Sequence, residues 1–167
     1  MSIVDRIVEC PDEWTGTRVI DELPLHMYDE GDRRRDLDLP LWLRDVLVVC
    51  DFDTHLQMEG LLGWWENAAS EDLRLVVDAL RSVGMQTDAR LLEEAAMVLV
   101  PSQLYSDGPF GTGSVSSFAE RHPAVTPQQY ERIRDIEGRL YLNDPDGPDL
   151  CALLAAHAAS GLASAGG

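Results

Sequence analysis

Four histidines, three cysteines and thirty carboxylates are the side chains of this 167-residue chain that could hold a metal, move a proton or attack a substrate. Their spacing decides which of these they can do. His26, His55, His122 and His157 show no i, i+4 pairing with one another or with a cysteine, so a zinc site would need every ligand supplied by tertiary contact. Cys10, Cys50 and Cys151 are odd in number and lack Cys-x-x-Cys spacing, and Cys50 and Cys151 stand among apolar residues; buried free thiols in a reducing cytosol are expected. Asp51-Phe52-Asp53 with His55 has metal-ligand types, but successive odd positions of a helix point in different directions, which favours an acidic helix end. Asp144-Pro145-Asp146-Gly147-Pro148-Asp149 is like part of a calcium loop. Leu142 fills its first-ligand place and no glutamate closes it, so a turn between helices is expected. The glycine-rich stretch from Asp107 to Ser114 lacks both a Gly-Lys-Ser/Thr ending and a preceding strand, so it reads as an exposed loop rather than a phosphate cradle. Ser102, Ser114, Ser116 and Ser117 have no activating base nearby in sequence. No catalytic group, metal or cofactor is assigned, and a non-enzymatic protein is expected.

What remains is charge. Thirty acids face thirteen arginines and no lysine, for a net charge of −17. A hydrophobic content of 45% belongs to a folded domain, so the charge is carried on a folded surface. Such a surface repels nucleic acid and attracts a basic protein. Fifteen of the acids lie in residues 1–60 against six arginines, which makes this part the candidate face: Asp21, Glu22, Asp29, Glu30, Asp36, Asp38, Asp51, Asp53 and Glu59. The Arg33-Arg34-Arg35 run has acids on both sides, and local ion pairing is expected there. Asp5, Arg6 and Glu9 stand where a signal peptide needs an apolar run, and no stretch reaches the length of a membrane span; a cytoplasmic protein without membrane contact is expected.

The periodicity that must position these acids is helical throughout. Pro40 suits the first turn of a helix running to about Thr54, followed by a short helix in which Gly60 and Gly63 permit close approach. Leu61, Trp64 and Trp65 fall at i, i+3 and i+4 on one face, with one indole expected in the core and the other over a helix junction or a homodimer face. Asn67 opens a turn, Ser70 caps the next helix and Gly84 ends it; Thr87 with Asp88 opens another, which Pro101 stops. Residues 102–125 lose periodicity. Thr126-Pro127-Gln128-Gln129 has the form of a capping box with proline at N1. A last helix spans about Pro148 to Ser160. The expected architecture is all-α: a single-domain antiparallel bundle of about six to eight helices. An N-terminal irregular or helical extension over 1–39 packs on a domain of 40–160, and 161–167 form a flexible tail. Trp14 is expected to be more exposed than Trp42.

The run Glu59-Gly60-Leu61-Leu62-Gly63-Trp64-Trp65-Glu66-Asn67, followed by a Ser/Asp turn, Ala79 to Gly84 and Leu91 to Ala96, resembles a bacterial all-α family named for a DNA-mimic protein. Its usual pattern has two glycines and a phenylalanine where Glu59-Gly60-Leu61 stand, and alanine where Met85 follows Gly84. The resemblance covers roughly Pro40 to His157. Glu59, Gly60, Leu61, Trp64, Trp65, Asn67 and Gly84 carry it as structural residues, and it implies a basic protein partner whose DNA-binding surface the acids would occupy. If half of the acids lined one face they would imitate roughly 25 Å of duplex, which carries about one charge per 1.7 Å. An immunity or antitoxin-like protein, neutralising a basic toxin with the same face, is the alternative; a small-molecule enzyme is a further one.

Overall fold

The computed structural model describes residues 1–26, 33, 36–65, 70–99, 125–143 and 146–165. Among them are seven α-helices, short 3-10 turns and no strand: α1 (Ile3–Glu9), α2 (Gly16–Glu22), α3 (Leu41–Trp64), α4 (Ser70–Ser82), α5 (Gln86–Leu99), α6 (Pro127–Gly138) and α7 (Leu150–Ala165). The protein is all-α.

The bundle is built on α3. Leu43, Val46, Leu47, Val49, Phe52, Leu56, Leu61 and Trp64 of this helix are all buried, and α4, α6 and α7 pack on it. No breaker interrupts the chain between Pro40 and Gly60. The helix continues past Thr54, where the sequence reading ended it, with the Thr54 hydroxyl turned back onto the Cys50 carbonyl at 2.8 Å. The interruption comes at Gly60, with φ 70° and ψ 176°. That backbone conformation is open only to glycine. Beyond it, Leu61, Trp64 and Trp65 are buried together. The expectation that one indole would face a junction is corrected: Trp64 stands edge-on to Phe52 at 4.8 Å and to Trp65 at 6.0 Å, which lets two adjacent rings share one core.

Local chemistry sets the other ends. Gly84 has φ +93°, with its own N–H bonded to the Arg81 carbonyl and the Met85 N–H to the Leu80 carbonyl, the paired bonds of a Schellman stop. The next helix opens at Gln86, one residue before Thr87. At α6, Thr126 Oγ1 accepts the Gln129 N–H while Gln129 accepts the Thr126 N–H, completing the capping box. Asp149 Oδ1 accepts the Ala152 N–H at 3.1 Å and so starts α7, in keeping with a helix-connecting turn. Helix α7 then runs past Ser160 to Ala165. Residues 161–165 are therefore helical rather than a loose tail, because Gly161 lies against Trp42 so closely that a Cβ would overlap the indole.

The antiparallel crossing of α3 and α7 is fixed by this contact and by His157 Nε2, 3.3 Å from Asp45 Oδ2. Ser82 of α4 donates to the same carboxylate oxygen at 2.6 Å, so three helices meet on the buried Asp45. Residues of the N-terminal extension pack on α7. A Cβ on Gly16 would overlap the Ala155 carbonyl, which brings α2 directly onto α7. Trp14 is buried, against expectation, with Arg18 and Arg6 over its ring at 4.3 and 5.6 Å. Cys50 is buried while Cys10 and Cys151 are exposed, which corrects the expectation of buried thiols for these two: Cys151 stands on the outer side of α7, whose Leu150, Leu153 and Leu154 face the core.

Candidate partner-binding surface

The structure distributes the nine candidate acids unevenly. Asp21 and Asp38 are exposed. Glu22 is paired with Arg18 at 2.7 Å and Asp36 with Arg33 at 3.4 Å, so these two offer a partner less of their charge. Asp51 and Glu59 flank His55 along one stripe of α3, at 3.9 and 3.6 Å from its two ring nitrogens. Asp53, two residues on from Asp51, faces away from that stripe beside Gln57, and burial pushes its carboxyl above the ordinary range against the lowering effect of the Gln57 contact. Asp29 and Glu30 lie outside the described residues, as do Asn67 and the loop of 102–124. The expected local pairing of the arginine run is met at Arg33 with Asp36, while Arg34 and Arg35 lie outside the described residues; Arg33 also bonds Asp5, and that guanidinium, with Ser2, holds the Asp5 carboxyl below its usual range.

Among the described residues, α4, α5 and α6 carry a run of arginine pairs. Arg74 and Arg81 reach Asp78, Arg81 reaches Glu93 at 2.7 Å, Arg132 reaches Glu94 at 2.6 Å, and Arg139 bridges Glu94 and Asp135. This side of the bundle is laced by opposite charges. On the N-terminal side Glu9, Asp12 and Glu13 are exposed and no described arginine ion-pairs with their carboxylates. Sequence reasoning passed over these three because α1 and its following turn showed too weak a period to place them.

Two further carboxylates act structurally. Glu137 of α6 accepts the Leu61 N–H at 3.0 Å, capping the segment beyond the Gly60 break. A Cβ on Gly60 would stand 3.2 Å from the Glu137 carboxylate, so glycine serves the backbone angle and the cap together. Asp88 is fully buried and accepts the Tyr141 and Leu142 N–H groups at 2.9 and 3.2 Å. Burial raises its carboxyl above the ordinary range, partly offset by those two bonds. Nothing in the spacing links Glu137 to Leu61, 76 positions away, or Asp88 to Tyr141, 53 away.

Among the described residues no group of three or more His, Cys, Asp or Glu side chains is placed to hold a metal ion, and no helix is long and apolar enough to cross a membrane. A family model described as DMP19-like protein matches residues 37–160, from the approach to α3 through most of α7. The chain belongs to the DMP19-like family. The match takes in the Gly60 break, the paired tryptophans and the Gly84 stop, which are the features that give the bundle its shape. Asp38, Asp51, Asp53 and Glu59 lie inside the DMP19-like region, whereas Asp21, Glu22, Asp29, Glu30, Asp36, α1 and α2 precede it. Searches of the curated proteins and of the solved structures return no match.

Proposed function

We propose that this protein is an acidic, non-enzymatic binding protein that acts as a DNA mimic, its surface carboxylates taking the place of phosphates on the basic face of a DNA-binding protein. Membership of the DMP19-like family supports the class of activity. The observation that carries the reading to this surface is the division of charge among the described residues: arginines neutralise acids locally on α4–α6, while Asp21 and Asp38, with Glu9, Asp12 and Glu13 of the N-terminal arm, stand exposed. A row of such carboxylates offers Lys and Arg the charge-assisted bonds that phosphate oxygens offer.

The reading is tested by capturing partners from the native cell at low salt and eluting with rising salt. A basic, DNA-binding partner released as ionic strength rises is expected, because exposed charge pairs are screened beyond the Debye length, about 10 Å at 0.1 M. Replacing Asp21, Asp38, Asp51 and Asp53 with asparagine is expected to weaken capture while leaving the fold intact. An acidic partner, or one indifferent to salt and to these substitutions, would end the reading.

A further inference from the structure

The arm that precedes the family match does more than cover α7. Where α2 begins against the α7 backbone, a groove of about 390 Å³ opens between the two, with Pro11, Trp14 and Thr15 on one side and Ala159, Leu162 and Ala163 on the other. Its walls combine apolar and small residues with the polar Thr15 and Asp12. Trp14 is held in place by the two guanidinium groups over its ring, and the close approach at Gly16 fixes the distance between the walls. The volume lies near the lower end of ligand sites, about 300–1,000 Å³, which suits one long side chain and its neighbours better than a whole helix.

Charge then selects the occupant. Asp12 lines the groove and is exposed, and the exposed carboxylates of Glu9 and Glu13 belong to the same short arm. Of the arm's own cations, Arg18 is spent on Glu22 at 2.7 Å and on the Glu13 carbonyl at 2.9 Å. Arg6, over the indole, offsets only one of the three acids. An anionic ligand would meet surplus negative charge here, and a purely apolar one would make no use of Asp12. A Lys or Arg side chain satisfies both features, since its stem is apolar and its head is cationic.

We infer that the groove between the N-terminal arm and α7 receives a basic side chain of the protein partner, with its aliphatic stem against Pro11, Leu162 and Ala163 and its charged head at Asp12. The inference rests on the DNA-mimic reading only for the identity of that partner as a basic protein. It adds a contact that backbone phosphates do not provide: an apolar slot that selects among basic partners by the shape around one residue. Because Asp12, Trp14, Leu162 and Ala163 lie outside residues 37–160, this selectivity would rest largely on side chains beyond the DMP19-like region.

The test is a titration of the ¹⁵N-labelled full chain with a short peptide alternating lysine and leucine, using oligo-lysine and a glutamate–leucine peptide as controls. Shifts are expected to gather at Asp12, Thr15, Ala159, Ala163 and the Trp14 indole N–H. Binding is expected to be tighter for the lysine–leucine peptide than for oligo-lysine and absent for the glutamate peptide. Asp12→Asn is expected to weaken binding about twofold to fivefold, as befits one exposed ion pair. Ala163→Phe, at an exposed position that fills the groove, is expected to abolish the local shifts while the amide spectrum elsewhere stays that of the folded parent. Shifts spread over the acidic surface, equal binding of oligo-lysine, or indifference to both substitutions would overturn the inference. The two readings fail separately. If duplex DNA displaces a captured partner that binds Ala163→Phe as well as the parent, the groove is refuted and mimicry stands; if the groove responds as described and DNA displaces nothing, mimicry is refuted alone.

Discussion

Gly60→Ala is expected to be among the most damaging single-methyl additions in this protein. The backbone at position 60 sits at φ 70° and ψ 176°, a region that costs a residue with a Cβ about 1–3 kcal/mol. The added Cβ would also stand 3.2 and 3.3 Å from the two Glu137 oxygens, so the cap on Leu61 must retreat. Leaving that N–H without its acceptor, next to a fully buried leucine, costs about 1–3 kcal/mol more. The sum is about 2–6 kcal/mol, a large part of the stability of an ordinary domain. Urea titrations followed by tryptophan fluorescence measure it, since Trp64 and Trp65 lie just beyond the break. Gly138→Ala is the control: a Cβ there meets nothing within 4 Å, and a gain of up to about 1 kcal/mol is expected from the stiffer unfolded chain. If Gly60→Ala unfolds within about 0.5 kcal/mol of the parent, the break and its cap do not hold the bundle as described.

Three further outcomes follow from the same packing. Trp64→Ala and Trp65→Ala are each expected to cost about 3–5 kcal/mol in thermal or chemical unfolding, because both rings are buried; a neutral result for either would place that ring outside the core. Asp88 has a folded-state carboxyl raised by burial, so its contribution to stability is fully present below about pH 3.8 and is lost as pH rises through the folded value. Asp88→Asn, neutral at every pH, is expected to remove that part of the decline in stability as pH rises above about 3.8, as unfolding titrations at a series of pH values would report. A thiol reagent at neutral pH is expected to label Cys10 and Cys151 but spare Cys50 until the protein unfolds, because burial first, and then Asp53, Cys151 and Asp51, push its thiol up to about 12.

The legible parts of this molecule in its sequence were those written locally. The Thr126 box, the Gly84 stop and the 3.6-residue period of α4 each draw on residues within a turn or two, so they could be placed from the chain alone. What escaped was set by distant partners. The helix beyond Thr54 is continuous because no breaker intervenes, and its actual break at Gly60 is held by a carboxylate on α6. Trp14 was misplaced because its burial depends on two arginines and on a helix at the other end of the chain. The candidate surface was legible as an excess of charge but not as a pattern. Only the folded chain separates Glu22 and Asp36, which are paired, from Asp21 and Asp38, which are exposed, and brings Asp12 beside the α7 groove.

The central claim is that surface carboxylates stand in for the phosphates of DNA, and competition tests it most directly. The captured partner, immobilised with this protein bound, is challenged with increasing duplex DNA at fixed ionic strength, and displaced protein is measured. Mutually exclusive binding is predicted: the duplex should release the protein in proportion to its own occupancy of the partner, and both affinities should fall together as salt rises. A ternary complex in which partner, duplex and this protein persist together would contradict the account.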